Sequence, residues 1–264
     1  KRQMYVTDAW AGVFKSTDGG QTWFPANNGI TTRTGESGDA IPVFCLTIDP
    51  HDYDTIWVGT QNVRGIFKST DGGESWTDLT APLKLYLPYG FDVHPTDSRI
   101  LYVGVSAIPR HHDEAGVYKS VDGGATWKKL TVAWPPGGPG WVHARYPSID
   151  PHNPDHILLI DEMTMIYESY DSGRTWKQID TGFTSAKVFD FEVSHENPDV
   201  IYVSNLGLGI SRYTGHDWQY MINSPDYAYD IELDPEDNSI IYASYSPKIF
   251  EDFSSIWSYS PNQQ

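Results

Sequence analysis

A twelve-residue segment recurs through this chain. It reads GVFKSTDGGQTW at 12–23, GIFKSTDGGESW at 65–76, GVYKSVDGGATW at 116–127 and MIYESYDSGRTW at 165–176. A worn fifth copy, GISRYTGHDW at 209–218, keeps the Trp, so the tryptophans fall at 23, 76, 127, 176 and 218, spaced by 53, 51, 49 and 42 residues. A period of that size with several short strands per unit is the mark of a propeller blade, and one such unit cannot bury its apolar face without neighbours.

A second element precedes the first in every unit. LTIDPHDYDTIWVGT at 46–60, FDVHPTDSRILYVGV at 91–105, PSIDPHNPDHILLID at 147–161, FEVSHENPDVIYVSN at 191–205 and IELDPEDNSIIYASY at 231–245 share one grammar. An apolar run enters a turn rich in Asp, Pro, Asn and His and leaves as a run rich in Ile, Val, Tyr and Leu, which is strand, turn, strand. Joined to the Gly-to-Trp segment this gives four strands per unit, A to D. Helical periodicity is absent throughout, so the expected class is all-β.

The Ser-x-x-Asp-Gly-Gly-x-Thr-Trp turn has its own physical logic. Adjacent glycines permit positive φ, the Asp carboxylate accepts backbone N–H groups across the turn, and the Trp brings a large apolar plate to strand D. These segments resemble the Asp-box, or BNR, repeat of xyloglucan-cleaving glycoside hydrolases, sialidases, sortilin-type receptors and photosystem assembly factors. The resemblance implies a β-propeller of four-stranded antiparallel blades. It also implies a structural role for Asp18, Asp71, Asp122 and Asp171 and for Trp23, Trp76, Trp127 and Trp176, and it leaves activity open, because this scaffold hosts many functions.

About six blades are visible, approximately 1–27, 41–80, 90–132, 147–181, 188–222 and 229–264, in what reads as a single domain over 1–264 of a six- or seven-bladed ring. The ends read as incomplete. Residues 3–7 look like a B strand without an A strand, and 255–260 like a C strand without a D strand, so a further chain or segment that closes the propeller is an expected partner.

Composition narrows the partners. With 35 acidic against 18 basic residues the formal charge is −17, which disfavours nucleic acid and anionic membranes. No apolar run is long enough to span a bilayer, so membrane insertion is not expected. The lone Cys45 sits in an apolar A strand and reads as an inert buried thiol.

Chemistry belongs on the B–C and D–A connections, which vary in length and composition while the A–B and C–D turns are stereotyped. Those variable loops carry Trp10, Arg64, Trp134, Trp141, His143, Arg145 and Tyr146, the expected ligand-binding set, because the apolar face of a sugar ring stacks on aromatic plates while its hydroxyls seek charged acceptors. Glycoside hydrolysis requires two carboxyl groups. Asp8, which ends a B strand as the catalytic Asp of xyloglucan-cleaving propellers does, and Asp161 in the equivalent place of its own blade are the candidates. The family's paired Gly and following Arg are replaced here by Ala11, Gly12 and Lys15. The sialidase pattern of an Arg cluster preceded by Arg-Ile-Pro is not met, and the loop His111-His112-Asp113-Glu114 runs too extended to chelate one ion, so no metal and no cofactor is expected. The resulting expectation is an extracellular or periplasmic propeller that binds, and in the fuller version hydrolyses, a glycan on its variable face; the alternative is a non-catalytic module that docks a protein.

Overall fold

The computed structural model describes residues 3–61, 65–79, 87–106, 114–131, 144–161, 166–179, 188–194, 196–197, 199–205, 207–215, 217–224, 226–234, 237, 239–245 and 255–259. The chain is an all-β propeller of four-stranded antiparallel blades, and it divides into two compact units, residues 1–131 with 139–147 and residues 132–138 with 148–264.

The first unit holds three sheets. They comprise β1 (Met4–Asp8), β2 (Gly12–Ser16) and β3 (Phe24–Pro25); then β4 (Val43–Ile48), β5 (Ile56–Thr60), β6 (Gly65–Ser69) and β7 (Thr77–Asp78); then β8 (Pro88–Val93), β9 (Leu101–Val105), β10 (Gly116–Ser120) and β11 (Lys128–Lys129). The strand β12 (Ala144–Ile149) opens in this unit and ends in the second. There it is followed by β13 (Ile157–Asp161), β14 (Ile166–Ser169) and β15 (Lys177–Gln178). Next come β16 (Val188–Val193), β17 (Val200–Asn205), β18 (Gly209–Thr214) and β19 (Trp218–Tyr220), then β20 (Ala228–Leu233), β21 (Ile241–Tyr245) and β22 (Ser255–Tyr259). The first and last sheets have three strands, lacking an A and a D strand respectively among the described residues.

Neighbouring strands within each sheet run antiparallel, so each blade has two ends of different chemistry. The C–D turns are tied to the A–B turns of the same blade by backbone bonds from Gly72 to Asp54, Gly123 to Arg99 and Ser172 to Asp155, each 2.9 Å. The B–C connections and the starts of the A strands therefore share the opposite end.

Each box turn is built around its serine. Ser16, Ser69, Ser120 and Ser169 are buried. Their Oγ atoms accept the N–H of Gly20, Gly73, Gly124 and Gly173 at 2.8–2.9 Å and donate to the box Asp. The Asp carboxylates, exposed in the first three boxes and half-buried in the fourth, then take the N–H and the hydroxyl of the residue four positions on, Thr22, Ser75, Thr126 and Thr175. Those bonds, led by the hydroxyl, hold the carboxyls of Asp18, Asp71 and Asp171 down at about 2. In the fourth box Ser172 replaces the first glycine and still adopts φ 59°, a conformation costly for a residue with a Cβ. Its backbone and hydroxyl bonds to Asp155 hold it there.

The core of the first unit lies between its blades. Trp57, Phe91, Leu101, Val103 and Tyr118 pack between the second and third sheets, and Val13, Ile30, Val58, Phe67 and Trp76 between the first and second. Polar stitches cross the same seams. Trp57 Nε1 donates to Gly123 O at 3.1 Å and Trp76 Nε1 to Ala26 O at 2.8 Å, so a buried indole supplies both apolar area and the donor that satisfies a turn carbonyl. In the second unit Ile210, Ile231, Leu233 and Ile241 form the corresponding layer.

Candidate functional site

Within the first unit, the variable ends of consecutive blades present the β1–β2 turn and a row of packed side chains at the starts of the A strands. The β1–β2 turn is fixed by Asp8, whose Oδ1 accepts the N–H of Trp10 at 2.8 Å and of Ala11 at 2.7 Å. This side chain-to-backbone closure is the usual use of Asp in a turn. It leaves the Trp10 indole 69% exposed. The carbonyl of Trp10 accepts the N–H of Ile41 at 2.8 Å and Ala11 bridges to Ile41, which seats the turn beside the start of β4.

The row itself is formed by the A strands. Phe44 meets Tyr89 edge-on at 5.8 Å, and the Arg145 guanidinium lies 4.1 Å from the centre of the Tyr89 ring. Gln61 Nε2 donates to the Tyr89 hydroxyl at 3.1 Å. Phe44, Tyr89 and Arg145 are each the second residue of an A strand, so one position repeated in three blades makes the row. Its close spacing requires Gly90: a Cβ there would stand 2.6 Å from the Tyr146 Cα. Tyr146 itself holds φ 41°, which for an aromatic residue is strain retained by the surrounding packing.

The expected site residues are distributed as follows. Asp8 and Trp10 lie exposed on one turn. Arg145 is buried at 8% exposure with its charge over Tyr89, and Tyr146 is half-buried beside it. Asp161 ends β13 in the second unit and is only 1% exposed. Arg64, Trp134, Trp141 and His143 lie outside the described residues. Arg33 is exposed and donates to the carbonyls of Ile30 and Thr32. Among the described residues no group of three His, Cys, Asp or Glu is placed to hold a metal ion, and no helix is long and apolar enough to cross a membrane.

Sequence reasoning passed over two features of this region. One is the Phe44–Tyr89–Arg145 row, which becomes visible when the A strands are aligned two residues upstream of their apolar runs. The other is Asn27, whose Oδ1 accepts Val13 N–H at 2.7 Å while its Nδ2 donates to Ala11 O at 2.9 Å, bracing the Trp10 turn from below. A lone Asn in a loop carries no signal for that role.

Comparison with known proteins gives a consistent picture. The sequence profile of the Sortilin-Vps10 family (Sortilin, neurotensin receptor 3) matches residues 11–134. A xyloglucanase of Paenibacillus sp is 32% identical over 146 residues, covering 47% of this chain and 14% of that protein. Among solved structures, an ancestral GH74 enzyme superposes with a TM-score of 0.65 at 18% identity, over 98% of this chain and 35% of the other. A chain of a nidogen/laminin complex superposes at 0.64 with 11% identity, over 92% and 84%. At such identities the superpositions speak to fold alone. This chain spans about a seventh of the curated xyloglucanase it matches. It is a β-propeller with Asp-box-like turns that resembles the GH74 and sortilin propellers.

Proposed function

We propose that this chain is a glycan-binding β-propeller module of an extracellular or periplasmic protein, taking a neutral β-linked polysaccharide of the xyloglucan class across the variable ends of its blades. The observation that carries the reading is Trp10. An indole left 69% exposed on a turn pinned by Asp8 and braced by Asn27 is an apolar plate held ready for stacking, and preorganisation of this kind lowers the ordering cost of binding. The net charge of −17 favours a neutral ligand over a polyanion. The similarity to a xyloglucanase supports the same class of ligand.

In the fuller version of this reading the chain also contributes to hydrolysis, with Asp8 and Asp161 the carboxylates to substitute, and Arg64, Trp134, Trp141, His143, Arg145 and Tyr146 extending the binding surface. Asp161 is almost fully enclosed, so binding is the primary assignment and cleavage the secondary one. The decisive experiment titrates xyloglucan, glucan and xylan oligosaccharides against the intact chain while following Trp fluorescence, with Trp10→Ala as the control. A saturable response to xyloglucan that Trp10→Ala abolishes at unchanged Tm supports the assignment. No response to any of the three refutes it. Hydrolysis that disappears in Asp8→Asn would establish the enzymatic version.

A second reading is docking of a protein partner. It draws on the sortilin profile, whose match over residues 11–134 nearly coincides with the main segment of the first unit. Capture of a defined polypeptide through the Trp10 turn, with no oligosaccharide response, would favour it.

A further inference from the structure

In the first unit one arrangement recurs beside the box turns. The residue before the buried box serine is a lysine in β2, β6 and β10, and each lies opposite an aromatic residue of the B strand: Lys15 opposite Tyr5, Lys68 opposite Trp57 and Lys119 opposite Tyr102. Lys68 and Lys119 stand over those rings at 4.7 and 4.9 Å. The Tyr5 hydroxyl and Lys15 reach the second blade at Gly72 O and Glu74, and the Trp57 indole and Lys68 reach the third at Gly123 O. The fourth blade departs from this pattern. Glu168 in β14 replaces the lysine and its partner in β13 is Leu158, so this pair has neither a cation for an aromatic face nor a donor for a turn carbonyl. The box segment of the following blade is also shorter, ten residues instead of twelve.

What the fourth blade presents instead is an open cleft of about 240 Å³, lined by Glu168, Tyr170, Asp171, Thr175, Trp176 and Lys177. Its parts are already fixed in place. Tyr170 is 61% exposed, and one face of its ring is stacked on His156 at 4.2 Å and 2°, which leaves the other face to solvent. His156 is buried and held with Nδ1 3.2 Å from Asp150. The Tyr170 hydroxyl donates to Glu168 Oε2 at 3.3 Å, and Lys177 Nζ donates to Glu168 Oε1 at 2.9 Å. The Glu168 side chain is 12% exposed and that of Lys177 76%, so a carboxylate at the floor and an ammonium at the rim flank the ring.

We propose that this cleft binds a single pyranose ring of a neutral glycan, stacked on Tyr170 with its hydroxyls shared between Glu168 and Lys177. The apolar face of a sugar ring matches an open aromatic plate. Each sugar hydroxyl both donates and accepts, which suits a carboxylate beside an ammonium. The cleft is smaller than the about 300–1,000 Å³ of pockets that enclose a drug-sized molecule, and one ring is the unit it can hold. A cationic ligand would meet Lys177 in the place beside Glu168 that it needs, and an anion would meet Glu168 and Asp171 on a chain of net charge −17. The site lies at the C–D end of its blade, whereas Trp10 stands on a B–C turn, and the inference does not rest on the Trp10 reading.

The test follows the tyrosine ring signals of the intact chain by NMR during titration with cellobiose and xylobiose, with arginine methyl ester and glucuronate as charged probes. Tyr170→Phe identifies the Tyr170 signals by removing them while keeping the stack. Those signals are expected to shift saturably with a neutral disaccharide at millimolar concentration, the weak affinity of a one-ring site. Calorimetry should show affinity reduced about tenfold or more in Tyr170→Ala and in Glu168→Gln, and unchanged in Trp10→Ala. Should Tyr170→Ala fail to fold, the wild-type ring shifts and Glu168→Gln still decide. Absence of a Tyr170 shift with both disaccharides, undiminished affinity in Glu168→Gln, or saturation by a charged probe alone would each overturn the assignment. A Trp10 fluorescence response to oligosaccharide without any Tyr170 shift would leave the first site standing and refute this one.

Discussion

Replacing the box serine should damage this protein more than replacing the box aspartate. In the second blade Ser69 is 1% exposed, and its Oγ accepts Gly73 N–H at 2.8 Å and Asp71 N–H at 3.3 Å while donating to Asp71 Oδ1 at 2.7 Å. Ser69→Ala leaves the buried Gly73 N–H without its acceptor, and no water can reach it beneath Trp76 and Tyr5. An orphaned buried donor costs about 1–3 kcal/mol. Asp71→Ala removes bonds to Ser75 N–H and Oγ at the exposed rim, where water replaces the acceptor, and the acceptor of the Ser69 hydroxyl, which can rotate to another partner, so the loss should be the smaller one, about 1 kcal/mol. For a chain of this length a 2 kcal/mol loss lowers Tm by about 4–8 °C. Differential scanning calorimetry of the two variants at neutral pH decides the matter, with Ser120→Ala as an independent copy of the same geometry. If Asp71→Ala lowered Tm as much as Ser69→Ala, the serine-centred account of the turn would be wrong.

Further outcomes follow from particular contacts. Gly29→Ala should cost about 3 kcal/mol or more in urea unfolding, because Gly29 has φ 97° and a Cβ there would stand 2.2 Å from Trp76 O. Trp10→Ala should change stability by less than about 0.5 kcal/mol, since the indole touches mainly water; a large loss would show that the ring packs rather than waits for a ligand. His156 is buried and stacked on Tyr170 at 4.2 Å, with Nδ1 3.2 Å from Asp150 and Nε2 3.8 Å from Glu168. Burial opposes its charge, yet Glu168 and Asp150 outweigh burial and its value is raised. Stability from His156 is therefore complete in acid and lost as pH rises past the folded value; His156→Gln should flatten that part of the Tm profile, and an unaltered profile would refute the assignment. In strong acid the direction reverses. The box carboxyls held at about 2 lose their contribution as pH falls below about 4, so Tm should drop steeply there, as thermal scans down to about pH 2 would show.

The repeat itself made the blades legible before any coordinates. Period-two apolar runs, Asp-Pro turns and paired glycines are local signals, because strand pairing within a blade joins segments only a few residues apart. The strand–turn–strand read over 46–60 is met by the observed strands β4 at Val43–Ile48 and β5 at Ile56–Thr60. The sequence reading drew attention to the aspartates of the boxes, since a carboxylate advertises its chemistry. The serines that organise the turns looked like ordinary polar residues until their burial was known.

Sequence alone determined the class of fold, the four-stranded grammar of the blade and the end of each blade on which variable residues collect, all of them consequences of residues close in the chain. Tertiary structure alone decided which side chains meet across seams. Arg145 lies over Tyr89 instead of facing solvent, Trp57 reaches a turn 66 residues away, Asp161 is enclosed, and Asp190 accepts the Ile231 N–H of the neighbouring blade. The physical reason is that burial and pairing between blades depend on how neighbouring sheets pack, and no period, motif or charge count in one blade states which group the next blade will present to it.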